Sequence, residues 1–297
     1  MAHSHQTENV SGRKLLFTIF LNVFITAAQI VGGLISGSLA LISDAVHNLS
    51  DSVSVMLAYF AQYLSQKPST SKSTFGYKRA EILAAFLNAI VLIGISVFLV
   101  FEAVDRLLNI REVDARWMFW LGLLGLIANG ISVLILEREK NKNINVKAAY
   151  LHLLGDALTS LAVIVGAILI WFFQIFWADP IVTILISIYL FVHTLKVLKE
   201  AVTILMQMAP GDDKVSEIEN RLMQFREFEN VHHIHLWNLT DKLLHFECHL
   251  DLKEDKKVSE TEEIFEKVRK ILHDEFDIEH VTVQFEFGNQ KHSGCDC

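Results

Sequence analysis

Two histidine–aspartate pairs lie inside long apolar runs of the sequence. His47 and Asp51 are four residues apart, as are His152 and Asp156. On a helix that spacing puts both side chains on one face. Each pair then offers one imidazole nitrogen and one carboxylate to a single point. Two such faces brought together give a tetrahedral set that suits Zn2+ at about 2.0–2.2 Å. The pairs align at a constant offset, His47-x-Leu49-x-Asp51 with His152-x-Leu154-x-Asp156. Small hydroxyl residues follow both, Ser52 and Ser54 in one, Thr159 and Ser160 in the other. Small residues let helices approach closely, and a repeated ligand pair on two helices suits a midplane transport site. One pair alone reads equally well as a hydrogen-bonded contact between helices. Two pairs inside apolar spans point to function, because an ionisable side chain in lipid costs about 3 kcal/mol or more. Asp44, one turn before His47, ranks behind these four, as an access-path acid or a helix-packing hydrogen bonder.

The elements that must carry these pairs are membrane spans. The chain has 297 residues, 52% hydrophobic and 20% charged, with mean hydropathy +0.36. Soluble domains carry more charge. Three Pro and long apolar runs exclude disorder, collagen and coiled coil, and three Cys exclude a disulfide-rich scaffold. A net charge of −8 argues against a nucleic-acid partner. From residue 207 onward there are 21 acids and 11 bases, against 13 and 15 before it, so an apolar region joins an acidic, water-soluble one. The junction lies at Met208-Ala209-Pro210-Gly211, where Pro and Gly end a helix.

A span needs about 20 mostly apolar residues. Six are expected, near 15–35, 39–64, 80–108, 117–136, 148–171 and 179–198. The first is too long for a cleaved signal peptide and has no cleavage site after it. Twelve Lys and Arg fall in one set of loops and flanks, and only Arg106, Arg111 and Arg116 in the other. The first set is expected in the cytoplasm, with both termini and the acidic domain. That setting fits free thiols at Cys248, Cys295 and Cys297.

Other polar residues of the spans have plainer readings. Asn22, Gln29, Asn88 and Asn129 are expected to hydrogen-bond between helices. Glu81 is expected to bridge to Lys78 or Arg79, and Glu102 and Asp105 to be solvated. Asp179-Pro180 reads as N-cap and first residue of the sixth helix.

After Gly211 the pattern is helix, strand, strand, helix, strand, over 215–228, 231–239, 243–250, 258–276 and 281–287. The αββαβ order predicts a small open sheet with two helices. Candidate metal ligands cluster here: His232, His233, His235, His245, His249, His280, Glu286, Cys295 and Cys297. Cys248 and His249 face opposite sides of one strand, so at most one serves a given site.

With Ser43-Asp44-Ala45-Val46-His47-Asn48-Leu49-Ser50-Asp51, His152-Leu153-Leu154-Gly155-Asp156, Phe75-Gly76-Tyr77-Lys78-Arg79-Ala80-Glu81 and Asp179-Pro180 in view, nearly the whole chain resembles the cation diffusion facilitator family of zinc-exporting transporters. The resemblance implies a Y- or V-shaped homodimer that exchanges cytoplasmic Zn2+ for protons, with His47, Asp51, His152 and Asp156 as the transport site. His at both histidine positions resembles the zinc-preferring members, with cadmium and cobalt as further cargo. The cytoplasmic domain resembles the family's metallochaperone-like domain. There, His232, His249, His280 and Glu286 match metal-ligand positions, and Cys295-x-Cys297 resembles a tail motif of some zinc members, spaced one residue shorter. The chain departs from the family in two places. The loop between the fourth and fifth spans has no His, and Gln207-Met208-Ala209 lacks the acid that some bacterial members pair with a base at the third span.

The expected molecule is therefore an all-α six-helix transmembrane bundle with a small α+β cytoplasmic domain. Residues 1–14 form a tail, 15–206 the membrane domain and 211–297 the metal-binding and dimerisation domain. It is expected to work as a multi-pass Zn2+/H+ antiporter of a bacterial inner membrane, by alternating access, and not as an enzyme. An intramembrane metallohydrolase would need three ligands, an open position and a general base. The sequence has no His-Glu-x-x-His, and the four ligands would close the shell. A metal-sensing receptor, relying on the cytoplasmic cluster alone, is the other alternative.

Overall fold

The computed structural model describes residues 12–137, 144–211 and 213–288. Six long helices come first: α1 Gly12–Ser36, α2 Leu39–Ser65, α3 Ala80–Leu108, α4 Ala115–Glu137, α5 Ile144–Phe173 and α6 Ala178–Leu205. Then follow α7 Lys214–Leu222, β1 Phe228–Asn238, β2 Leu244–Leu252, α8 Val258–Phe276 and β3 His280–Phe287. Among the described residues, four helices are long and apolar enough to cross a membrane: Ala80–Leu108, Ala115–Ile135, Tyr150–Phe173 and Ala178–Leu205. The chain is a multi-pass membrane protein with a small three-stranded domain. Six such spans were expected. Of α1, residues Val23–Ser36 are apolar, and α2 is diluted by Asp44, His47, Asn48 and Asp51.

The chain divides into two compact units. The first comprises Met1–Leu57 and Leu87–Lys196. In it α4 packs along α5, and α1 along α4. Ala40, Leu41, Met118, Val163, Ala167, Ile186 and Leu190 are buried between the helices. Leu39, Leu99 and Ala103 form a second cluster with Ile42, Ile95 and Ile184. Phe98, Phe101, Leu134 and Leu185 stay exposed on the helices, as lipid-facing side chains must, because the bilayer is as apolar as they are.

Asp179 does not cap its own helix. It accepts hydrogen bonds from Leu39 N at 2.9 Å, Ala40 N at 3.2 Å and Ser38 Oγ at 2.5 Å. It therefore satisfies free N–H groups at the start of α2, and Ser38 Oγ accepts from Leu41 N at 3.1 Å. The expectation of a local cap is corrected, because the first turn of a buried helix needs partners wherever the packing can supply them. Asp179→Ala would leave buried donors unmet, at a cost of about 3 kcal/mol. A lowered thermal midpoint of the purified chain in detergent is the expected result, with Asp179→Asn intermediate.

Glu102 and Asp105 are not simply solvated either. Glu102 lies 3.3 Å from Arg106 and 3.6 Å from Arg111, and Asp105 lies 3.3 Å from Arg111.

The second unit comprises Ala58–Phe86 and Val197–Cys297. The start of α3 packs on the end of α6 through Ile82, Phe86, Ala201, Ile204 and Leu205. The sheet has the order β1-β2-β3. β1 is antiparallel to β2, and β2 is parallel to β3. The β2–β3 crossover runs through α8, whose Ile264, Val268 and Leu272 are buried with Phe228, Phe246, Leu250 and Ile278. The αββαβ order agrees with the sequence pattern, but α7 ends at Leu222 rather than near 228. Phe225 and Phe228 stack at 5.2 Å and turn into the core, which ends the helix early.

Candidate metal centre

α2 and α5 bring the two sequence-predicted pairs together. His47 Nε2 lies 2.9 Å from Asp156 Oδ1, and His47 Nδ1 lies 3.8 Å from Asp51 Oδ2. His152 Nε2 lies 3.4 Å from Asp51 Oδ2 and 3.8 Å from Asp156 Oδ2. The two imidazoles stand edge to face, with centroids 6.0 Å apart. A tetrahedral shell with bonds of about 2.0–2.2 Å has ligand atoms about 3.3–3.6 Å apart. The observed separations draw on both ring nitrogens of His47 and both oxygens of Asp156; with one atom from each residue, His47, Asp51 and Asp156 gather within 4.8 Å of one another, and His152 stands beside them. His47 and Asp156 are buried, at 7% and 5% side-chain exposure, whereas Asp51 and His152 are open at 29% and 39%.

Asp44 is fully buried and already engaged. It accepts hydrogen bonds from Thr159 Oγ1 at 2.8 Å, Ser160 Oγ at 3.1 Å and Gln29 Nε2 at 3.1 Å. Asn48 donates to Gln29 Oε1 at 3.3 Å, so one network ties α1, α2 and α5 behind the four residues. Gly125 of α4 makes room for it, since a β-carbon there would sit 2.6 Å from Gln29 Nε2. Of the two readings for Asp44, the structure places it as a packing acceptor. Asn88 also bonds between helices as expected, donating to Ser54 Oγ at 2.8 Å.

α6 contributes two residues that the sequence reading missed. The Tyr189 ring stands 6.4 Å from His47, and the His193 ring stacks on Tyr189 at 6.3 Å. A β-carbon on residue 155 would lie 2.5 Å from the Tyr189 hydroxyl, so Gly155 is what lets Tyr189 approach α5 beside His152 and Asp156. A third histidine in an apolar run, one turn from an aromatic, was the available signal.

A family model for the cation efflux transmembrane domain matches residues 15–206, and one for the cation efflux protein cytoplasmic domain matches residues 210–287. The chain belongs to the cation efflux family. Among its relatives, a cadmium, cobalt and zinc/H(+)-K(+) antiporter of Bacillus velezensis is 36% identical over 98% of this chain and 94% of that protein. The metal cation efflux system protein CzcD of Cupriavidus metallidurans is 36% identical over 96% and 89%, and the zinc transporter ZitB of Escherichia coli is 35% identical over 100% and 96%. A solved structure of the metal-bound C-terminal domain of CzcD is 30% identical, covering 25% of this chain and 97% of that chain, with a TM-score of 0.22. The cation efflux family consists of transporters, not enzymes.

The three-stranded domain of this family member holds a second cluster. His232 on β1 pairs in register with His249 on β2, and Asp251 pairs with Glu286 on β3. His249 Nδ1 lies 2.9 Å from Glu286 Oε1, and His232 Nε2 lies 3.6 Å from Glu286 Oε2. One ligand atom from each of these three falls within 4.8 Å of the others. Two nitrogens and a carboxylate fit a zinc ion. Asp251, missed from sequence although it stands two residues from His249, is 3.6 Å from His232 Nδ1. The His233 ring stacks on His249 at 4.6 Å, where a bulge gives His233 a φ of +52°.

His280 does not join this group. It is in register with His245, its ring 4.4 Å away, about six residues or 20 Å along β3 from Glu286. Cys248 is buried in the core, and burial, reinforced by Glu247, pushes its thiol up to about 12. It stays protonated and leaves that strand's metal chemistry to His249. Cys295 and Cys297 lie outside the described residues.

Proposed function

We propose that this chain exports cytoplasmic zinc in exchange for protons, and that His47, Asp51, His152 and Asp156 hold the ion in transit. The observation that carries the reading is the convergence of one ligand atom each from His47, Asp51 and Asp156 within 4.8 Å, with His152 Nε2 beside them at 3.4 Å from Asp51 and 3.8 Å from Asp156. Cadmium and cobalt, which stand beside zinc in the name of a Bacillus velezensis relative, are secondary cargo of this chain. Six helices span a bacterial inner membrane with both termini in the cytoplasm, and residues 15–206 form the membrane domain. Residues 211–297 form the cytoplasmic domain, which dimerises and binds zinc at His232, His249 and Glu286.

The coupling follows from the ligands themselves. At 2.9 Å, His47 Nε2 and Asp156 Oδ1 need a proton between them. Zinc needs both atoms without it, so a His47 imidazolium gives up its Nε2 proton when the ion loads, keeping the one on Nδ1, and reprotonation expels the ion. On α2 Asp51 follows His47 and on α5 His152 precedes Asp156, so the open half of the site is displaced toward the C-terminal end of α2 and the N-terminal start of α5. These adjoin the Lys- and Arg-rich loops, which supports entry from the cytoplasmic side. Alternating access then closes that side and opens the other.

Proteoliposomes with a set proton gradient test the reading. Zinc flux is expected to run opposite to the imposed proton gradient and to collapse when a protonophore removes it. Flux that ignores the gradient would remove proton exchange, and no flux at all would favour a metal-sensing role.

A further inference from the structure

Among the described residues, the loop before α3 carries a base with two buried donors unmet. Arg79 Nε and Nη2 are buried without a hydrogen-bond partner. The bridge expected from Glu81 does not reach either nitrogen. In the same compact unit, His245 is only 4% exposed and its Nε2 is also without a partner. The His245 ring sits between the Phe75 ring at 5.6 Å, the Trp237 ring at 5.5 Å and the His280 ring at 4.4 Å. Lys78 and Arg79 lie close enough to affect its protonation: burial first, then His280, Lys78 and Arg79, hold the imidazole below its ordinary value. No carboxylate is among those influences.

A buried guanidinium nitrogen without an acceptor is costly, about 1–3 kcal/mol per unmet group and more when charged. Proteins retain such a group where something outside the chain satisfies it. Three buried N–H positions together with Lys78, and no acid among the groups acting on His245, call for an anion. Arg79 is also the residue before Ala80, where the long apolar helix α3 begins. It therefore stands at the level of lipid headgroups, and the N-terminus of α3 adds its own preference for negative charge. Phe75 and Tyr77, 55% and 50% exposed, flank it as interfacial aromatics do.

We propose that Arg79, Lys78 and His245 form a binding site for a single phosphate group, supplied by an anionic phospholipid headgroup at the foot of α3. The site joins the membrane surface to the loop and the sheet of the same unit, so its occupant steadies the loop's contact with β2. Arg supplies planar donors suited to a phosphate's oxygens, Lys a point charge, and His245 a donor held in place by its stacked neighbours.

The test uses the full chain in neutral detergent and phosphate-free buffer, titrated with short-chain phosphatidylglycerol. Phosphatidylcholine is the neutral control and sodium phosphate the soluble arm. Retained lipid is read by native mass spectrometry, alongside the thermal midpoint. Phosphatidylglycerol is expected to bind and raise the midpoint where phosphatidylcholine does neither. Arg79→Gln is expected to weaken binding about tenfold or more, with Arg79→Lys recovering part of it. His245→Asn is expected to weaken it less, and it keeps the test decisive if Arg79→Gln fails to fold. Stabilisation by sodium phosphate that Arg79→Gln removes, without lipid preference, supports the phosphate site and assigns it to a soluble ion. Equal binding of both lipids with no stabilisation by sodium phosphate, or unchanged phosphatidylglycerol affinity in both variants, overturns the proposal.

Discussion

Asp156→Ala is expected to abolish zinc flux at sub-saturating zinc. Asp156 faces both imidazoles, at 2.9 Å from His47 and 3.8 Å from His152, and its side chain is only 5% exposed. Its removal deletes a ligand and one negative charge from the buried half of the site. Breaking a buried charged pair costs about 3–5 kcal/mol, so zinc affinity at the site is expected to fall by two to three orders of magnitude, since about 1.4 kcal/mol is tenfold. Asp156→Asn keeps the shape and a carbonyl acceptor but loses the charge, and it should fail almost as completely. That result would locate the effect in charge rather than packing. Asp51→Ala should also stop flux, with less effect on stability because Asp51 is 29% exposed. Proteoliposome flux beside the thermal midpoint of the same preparation makes the check. Wild-type-like flux in Asp156→Ala would remove this residue from the ion's path.

The i, i+4 spacing made both His–Asp pairs legible, because helix periodicity is local and both pairs lie in runs long enough to be helices. Periodicity does not say which helices meet. Tyr189 and His193 join the centre only because α6 packs beside α2 and α5, and Gly155 admits the Tyr189 hydroxyl. Asp179 shows the same limit. Beside Pro180 it reads as a local cap, yet it bonds N–H groups about 140 residues away. In the sheet, alternation tells which face a histidine occupies but not its cross-strand partner. The parallel register of β2 and β3 sends His280 to His245 and Glu286 to Asp251 and His249, dividing a set that looked single in sequence. The hydropathy of α2 was lowered by the residues that make it worth noticing, Asp44, His47 and Asp51.

His47→Asp is expected to change which metal is moved rather than whether metal is moved. The site becomes one imidazole and three carboxylates, with more hard oxygen and one more negative charge. A carboxylate is shorter than an imidazole, and His47 presently spans from Asp51 at 3.8 Å to Asp156 at 2.9 Å. The shorter side chain leaves a wider cavity. Larger Cd2+ and harder Mn2+ should therefore lose less than Zn2+, or gain, because Zn2+ favours nitrogen and a tight four-coordinate shell. Zinc transport should persist at reduced preference, since four ligands remain. The pH profile should move down as well. An unperturbed imidazole takes up its proton near 6.5 and a carboxylate near 4, so protons compete with metal for residue 47 only at lower pH. Three carboxylates close together oppose part of that shift, because like charges raise one another's affinity for protons. The net movement is still expected downward while His152 remains the one imidazole ligand. Competitive flux of Zn2+ against Cd2+ over a pH series, wild type beside His47→Asp, reads both effects. An unchanged metal ratio together with an unchanged pH profile would mean that His47 does not touch the ion. Asp44, one turn away and now held by Thr159, Ser160 and Gln29, would then be the next residue to replace.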